Sequence, residues 1–166
     1  LGLDPKEGQT ILIDYGGANV AKPLHVGHLR SASIGETLKR LAIRMGNDAV
    51  GDVHLGDFGL QMGLIIGELE DRGELDKDFT ISELEEVYPY ASAKAKEKNP
   101  DGSLKNEAYA ERAREITVQL QKGVEKYKKA WEKILKVSIA DLKKNYEALD
   151  VHFDLWKGES DADPYI

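Results

Sequence analysis

Between Thr10 and Met45 the sequence reads as strand, glycine turn and helix, and this order limits the folds open to the chain. Thr10-Ile-Leu-Ile13 is a short apolar run of strand formers, and Gly16-Gly17 marks the turn that leaves it. Leu29, Leu38, Leu41, Ala42 and Met45 make the apolar stripe of a helix predicted near Val26 to Met45. Gly46-Asn47 stops that helix, and Ala49 to His54 reads as a second strand. A strand, a crossover helix and a second strand build a parallel sheet. Open parallel sheets bind ligands beyond the carboxyl ends of their strands. Asp14 to His28 and His54 to Gln61 both fall at such ends, so two stretches are expected to meet at one cleft.

The start of the predicted helix carries Lys22, His25, Gly27 and His28. Backbone N–H groups in a first helical turn lack partners and the helix dipole is positive there, so an anion binds with help from imidazole and ammonium groups. His25 and His28 lie one turn apart and share a face. Without their neighbours they would be ordinary surface residues. With Lys22, Gly27 and a strand before them, phosphate handling is the stronger reading.

The run Asp14-Tyr-Gly-Gly-Ala-Asn19-Val-Ala-Lys22-Pro-Leu-His25-Val-Gly-His28-Leu-Arg-Ser31 resembles the class I aminoacyl-tRNA synthetases, with His25 to His28 similar to their HIGH box. Together with Gly56-Asp57-Phe58-Gly59-Leu-Gln61 and Gly158-Glu159-Ser160, it resembles the arginyl-tRNA synthetases in particular. The resemblance implies an α/β fold: a Rossmann-like parallel-sheet nucleotide-binding core, interrupted by a mainly helical insertion. It also implies that the chain is part of a longer catalytic domain. The expected segments are 1–73 for the first part of the core, 74–150 for the insertion and 151–166 for the return to the core.

The implied chemistry is attack of the L-arginine carboxylate on the α-phosphorus of ATP, followed by transfer to the terminal adenosine of tRNA. ATP would arrive with Mg2+, and no protein metal site is expected. In the family, arginine activation usually requires bound tRNA, which is held mainly by domains outside this chain. The resemblance places Lys22, His25, Gly27, His28 and Arg30 on ATP, with Lys22, His25 and His28 catalytic. Lys22 matches a lysine thought to substitute for an altered KMSKS loop. Asp14, Gly17 and Asn19 match positions that hold the amino acid, although many relatives carry two serines at Gly16-Gly17. Asp57 and Gln61 read equally as pocket residues or as residues that cap and cover the following helix. Arg30 reads equally as a pocket residue or as a surface partner of Glu36. His54 and His152 read as structural.

From Glu74 on, the texture becomes charged and helical, with helices expected over Ile81–Val87 and Ala91–Lys98 and a turn at Asn99-Pro-Asp-Gly102. A long stretch from Leu104 to Leu149 follows, dividing at Gly123. Trp131 and Tyr127 sit at core spacing, and Val151 to Asp154 is expected to return as a strand. The net charge of −7 argues against an autonomous nucleic-acid binder, which needs clustered Lys and Arg. There is no cysteine for a disulfide or thiolate metal site, which fits a reducing, cytoplasmic setting. No apolar run approaches a membrane span. The competing readings are another nucleotidyltransferase of the HIGH superfamily, or a non-catalytic helical module that docks a partner or binds metal through its histidines.

Overall fold

A computed structural model describes residues 8–165 of the chain; residues 1–7 and 166, at the outer ends of the first and last expected segments, lie outside them. The chain forms two compact units. Among the described residues, the first gathers 8–19, 24–56 and 141–165, and the second gathers 20–23 and 57–140.

The first unit is built on strand β1 (Thr10–Asp14), helix α1 (Val26–Arg44) and strand β2 (Asp48–Asp52). β1 and β2 pair in parallel from Thr10 opposite Asp48 to Asp14 opposite Asp52, as a right-handed crossover unit requires. Glycines let the layers approach closely. A Cβ at Gly35 of α1 would fall 2.2 Å from the Tyr15 ring, and one at Gly51 of β2 would fall 2.6 Å from the Tyr15 hydroxyl. Gly46, at φ +86°, lets the chain leave α1, and Asn47 Nδ2 caps the Ala42 carbonyl at 3.1 Å.

Val151 to Asp154 is not a strand, contrary to expectation. Pairing with β2 comes later, through isolated parallel bridges of Asp52 with Leu155 and of Leu55 with Gly158. The reason is the Asp154 side chain, whose carboxylate accepts the Gly51 N–H at 2.8 Å and takes the ladder position a backbone carbonyl would fill. Residues 150–154 are instead held by polar groups of α1. Glu36 accepts from the Tyr15 hydroxyl at 2.8 Å, Arg40 Nε at 2.7 Å and the His152 N–H at 3.1 Å. Lys39 pairs with Asp154 at 2.8 Å, and Arg40 pairs with Asp150 at 2.8 Å. Burial would raise the Glu36 carboxyl, but its hydrogen bonds to Arg40, Tyr15 and His152 outweigh that and lower it. Arg30 and Glu36 are not partners, because Arg40 and Tyr15 already occupy that carboxylate.

The second unit is helical: α2 (Leu60–Asp71), α3 (Ile81–Lys96), α4 (Glu107–Gln121) and the first part of α5 (Glu125–Glu147). α2 packs tightly on α4 because Gly63 faces the Ala113 carbonyl, where a Cβ would come within 2.1 Å. Buried Glu68 ties the unit together, accepting from Arg72 at 2.9 Å and Tyr109 at 2.8 Å. The two helices expected around residues 81–98 are one, and it runs through Pro89. Leu84, Val87 and Ala91 are all buried along one face, and this packing outweighs the hydrogen bond that proline removes. The Thr80–Glu83 capping box starts the helix. Gly123, at φ +76°, divides α4 from α5 as the sequence predicts. Short helix α6 (Glu159–Ala162) and a 3-10 turn over Asp163–Tyr165 close the described chain.

Candidate functional site

The two histidines build the start of α1 themselves. His25 is the N-cap, and its Nδ1 accepts the Gly27 N–H at 3.1 Å, while His28 Nδ1 accepts the His25 N–H at 3.2 Å. This is a reciprocal capping box made with imidazoles in place of the usual hydroxyl and carboxylate. The two rings stack with centroids 3.8 Å apart and planes 25° from parallel. With each Nδ1 placed to accept a backbone N–H, Nε2 is the ring nitrogen placed to donate.

Gly27 was expected to clear room for a nucleotide. The structure supplies a nearer reason. A Cβ there would lie 2.9 Å from His25 Cε1 and 3.0 Å from its Nδ1, so glycine is what lets the His25 ring fold back onto the helix.

Beyond the end of β1, Asp14, Gly27, Arg30 and Ser31 line one open recess of about 370 Å3, with Ile13, Tyr15 and Ile34 among its apolar walls. The turn above it is closely set. Gly16 sits at φ +93°, its N–H directed at Ser31 Oγ at 3.4 Å, and a Cβ there would meet Phe153 at 3.0 Å and the Tyr146 hydroxyl at 3.2 Å. A serine at residue 16 would be strained by the positive φ and would need the Phe153 and Tyr146 side chains to give by a few tenths of an ångström. Gly17, at φ +55°, faces open space. The Tyr146 hydroxyl is buried without a hydrogen-bond partner, and burial pushes it up to about 12. Nothing in the sequence marked Tyr146, because its role depends on Gly16 and Phe153 packing around it. Asn19 bridges in parallel to Gly56, and the Gly56 N–H donates to Ala18 at 3.0 Å, so the ends of the two strand loops do meet as expected.

Lys22 belongs to the helical unit. The residues before it are fully buried, Ala21 adopts φ +56°, and its N–H donates to Ser138 Oγ of α5 at 2.9 Å. The Lys22 ammonium lies over the Tyr88 ring of α3, 4.4 Å from its centroid. Asp57 is buried, and its carbonyl accepts the Trp131 indole N–H at 2.8 Å. Trp131 also packs on Phe58, with ring centroids 5.8 Å apart, so it serves the helical unit's interior rather than offering a stacking face. Gln61 is half-buried in the first turn of α2. His152 is structural: its backbone is held by Glu36 and Lys39, and its ring meets Asp150 at 2.9 Å.

A parallel β-α-β unit with a polar helix start at the strand ends is the architecture of the α/β class of folds. Comparison with known proteins narrows this. The family model for the class I tRNA synthetase (R) catalytic domain matches residues 2–166, and the chain belongs to that family. The chain is 54% identical to the arginine–tRNA ligase of Agathobacter rectalis, covering 97% of this chain and 28% of that protein. It is 53% identical to the arginine–tRNA ligase of Alkaliphilus oremlandii, covering 100% of this chain and 30% of that protein. The chain thus spans under a third of the length of these relatives. The crystal structure of arginyl-tRNA synthetase from Plasmodium falciparum superposes with a TM-score of 0.74 at 27% identity, over 95% of this chain and 25% of that one. The Thermus thermophilus arginyl-tRNA synthetase shares the fold, with a TM-score of 0.63 at 22% identity over 95% of this chain and 25% of that one. Among the described residues no helix is long and apolar enough to cross a membrane.

Proposed function

We propose that the complete protein carrying this sequence ligates L-arginine to its tRNA through arginyl-adenylate, in the cytoplasm. The observation that carries the reading is the match of the synthetase catalytic-domain family over 2–166, with the histidine capping box at the helix start that follows the first strand. The arginine carboxylate attacks the α-phosphorus of ATP and pyrophosphate leaves; the arginyl group then passes to the terminal adenosine of tRNA, releasing AMP. The protein contributes position and charge. His25 and His28 donate Nε2–H to phosphate oxygens, Lys22 adds a point charge there, and Arg30 borders the nucleotide. Asp14, Asn19 and the Gly17 backbone hold arginine, and Asp57 and Gln61 shape the pocket. Gly27 acts through the His25 ring.

Family membership implies use of ATP. Among the described residues no group of three or more His, Cys, Asp or Glu is placed to hold a metal, so in this proposal Mg2+ travels with ATP. Residues 74–150 act as an insertion into the nucleotide-binding core, and tRNA binds mainly through parts of the protein beyond this chain. The test is aminoacylation by the complete protein. Charging of arginine tRNA with arginine, and with no other amino acid, is expected; charging with another amino acid would overturn the proposal.

A further inference from the structure

The chain just before the histidine turn is a strained segment held from far away in sequence. Ala21 has no glycine's freedom, yet it sits at φ +56°, with 1% of its surface exposed. Its N–H has no partner nearby in sequence; Ser138, 117 residues on and itself buried, accepts it at 2.9 Å. A strained backbone persists only where its surroundings over-determine it, and here they set the direction in which the next residue, Lys22, leaves the backbone. The ammonium then rests over Tyr88, 4.4 Å from the ring centroid, within cation–π range.

We propose that Tyr88 is a positioning residue for Lys22, its ring face ordering the ammonium before it meets the phosphates of ATP while Ser138 fixes the backbone from which that side chain springs. This rests on the reading of Lys22 as a phosphate ligand. A free lysine side chain carries large rotamer entropy, and ordering it before ATP arrives removes that cost from the reaction. The ring covers one side of the ammonium, leaving N–H donors for phosphate oxygens. Sequence reading places no such duty on Tyr88, which falls in a charged helix with a proline beside it.

The test compares wild type, Lys22→Met, Tyr88→Leu, Tyr88→Phe and the Lys22→Met/Tyr88→Leu double variant of the complete protein in tRNA-supported, arginine-dependent ATP–pyrophosphate exchange. Tyr88→Leu is expected to lower kcat about fivefold to thirtyfold, the span of a cation–π contact, with the KM for arginine unchanged. Tyr88→Phe keeps the ring face and recovers most of the loss. The double variant matches Lys22→Met alone, because the ring acts only through the lysine. Without ATP, the NMR signal of the Lys22 ε-methylene lies upfield from ring current and returns to the ordinary position in Tyr88→Leu.

An inactive Lys22→Met beside a fully active Tyr88→Leu overturns this inference and leaves the lysine's role standing. A fully active Lys22→Met overturns both. Independent losses in the double variant, equal losses in Leu and Phe variants, or no upfield shift each overturn the role of the ring. If Tyr88→Leu does not fold, Tyr88→Gln, of similar reach without a ring face, takes its place with the same expected results.

Discussion

The histidine turn at residues 25–28 and the lysine segment at 20–23 are adjacent in the chain but are held in opposite ways. The turn is written locally: His25, Gly27 and His28 satisfy one another's backbone and side chains within four residues. The lysine segment is held by Ser138 and Tyr88, which lie far along the sequence. A locally encoded element forms wherever its helix forms. An element held from a distance depends on the helices that hold it, so changes in those helices should reach the chemistry through Lys22 and not through the histidines.

The largest expected effect is at the turn. On the proposed function, His28→Ala in the complete protein removes a phosphate donor and should lower the arginine activation rate by roughly 100-fold to 1,000-fold, with the melting transition retained. An unchanged rate breaks the assignment of the turn. Next is Ser138→Ala, which leaves the buried Ala21 N–H unpaired and should cost about 1–3 kcal/mol in urea unfolding. A neutral effect would mean that the lysine segment does not depend on α5. Gly27→Ala is smaller, because the displaced neighbour is a side-chain ring. Loss of the His25 cap should cost about 1 kcal/mol and lower activity together with it, whereas a stable and fully active variant would return Gly27 to ordinary helix duty.

The smallest effect at neutral pH concerns the polar lock on residues 150–154, a second element held at a distance. Hydrogen bonds from Arg40 and then from His152 hold the Asp150 carboxyl at about 2, and Asp154 is lowered by the Gly51 N–H and by Lys39. Carboxylates depressed in the folded state contribute stability that is present above their unfolded values, near 4, and lost as pH falls through the folded ones. Unfolding free energy should therefore drop between about pH 4 and pH 2. Arg40→Leu should flatten that drop, and an identical pH profile in the variant would remove Arg40 from the lock.

The same contrast explains what was legible in the sequence. The β-α-β unit, the helix start at Val26 and the break at Gly123 depend on caps, glycines and apolar runs within a few residues, and all three are found. The stripe expected to bury α1, however, is not its buried face: Leu38, Leu41 and Met45 are exposed, and Ala32, Gly35, Glu36 and Lys39 are buried. The failures are long-range. The strand expected at 151–154 is lost to the Asp154 side chain, and the break expected near Pro89 is lost to the buried face of α3. At the candidate site, the histidines, Gly27 and Asp14, of which the structure sets Asp14 and Gly27 on one recess, stood out in the sequence by type and spacing. Tyr88, Ser138 and Tyr146 did not, because their meaning comes from residues brought to them by folding. Gly27 has its immediate structural reason in the His25 ring.

The most direct measurement is tRNA-supported, arginine-dependent ATP–pyrophosphate exchange by the complete protein, comparing wild type with His25→Ala and Lys22→Met. The account predicts exchange by wild type and a fall of roughly 100-fold in each variant, since the proposed function assigns both side chains to ATP phosphates. Exchange at the wild-type rate in either variant would contradict it.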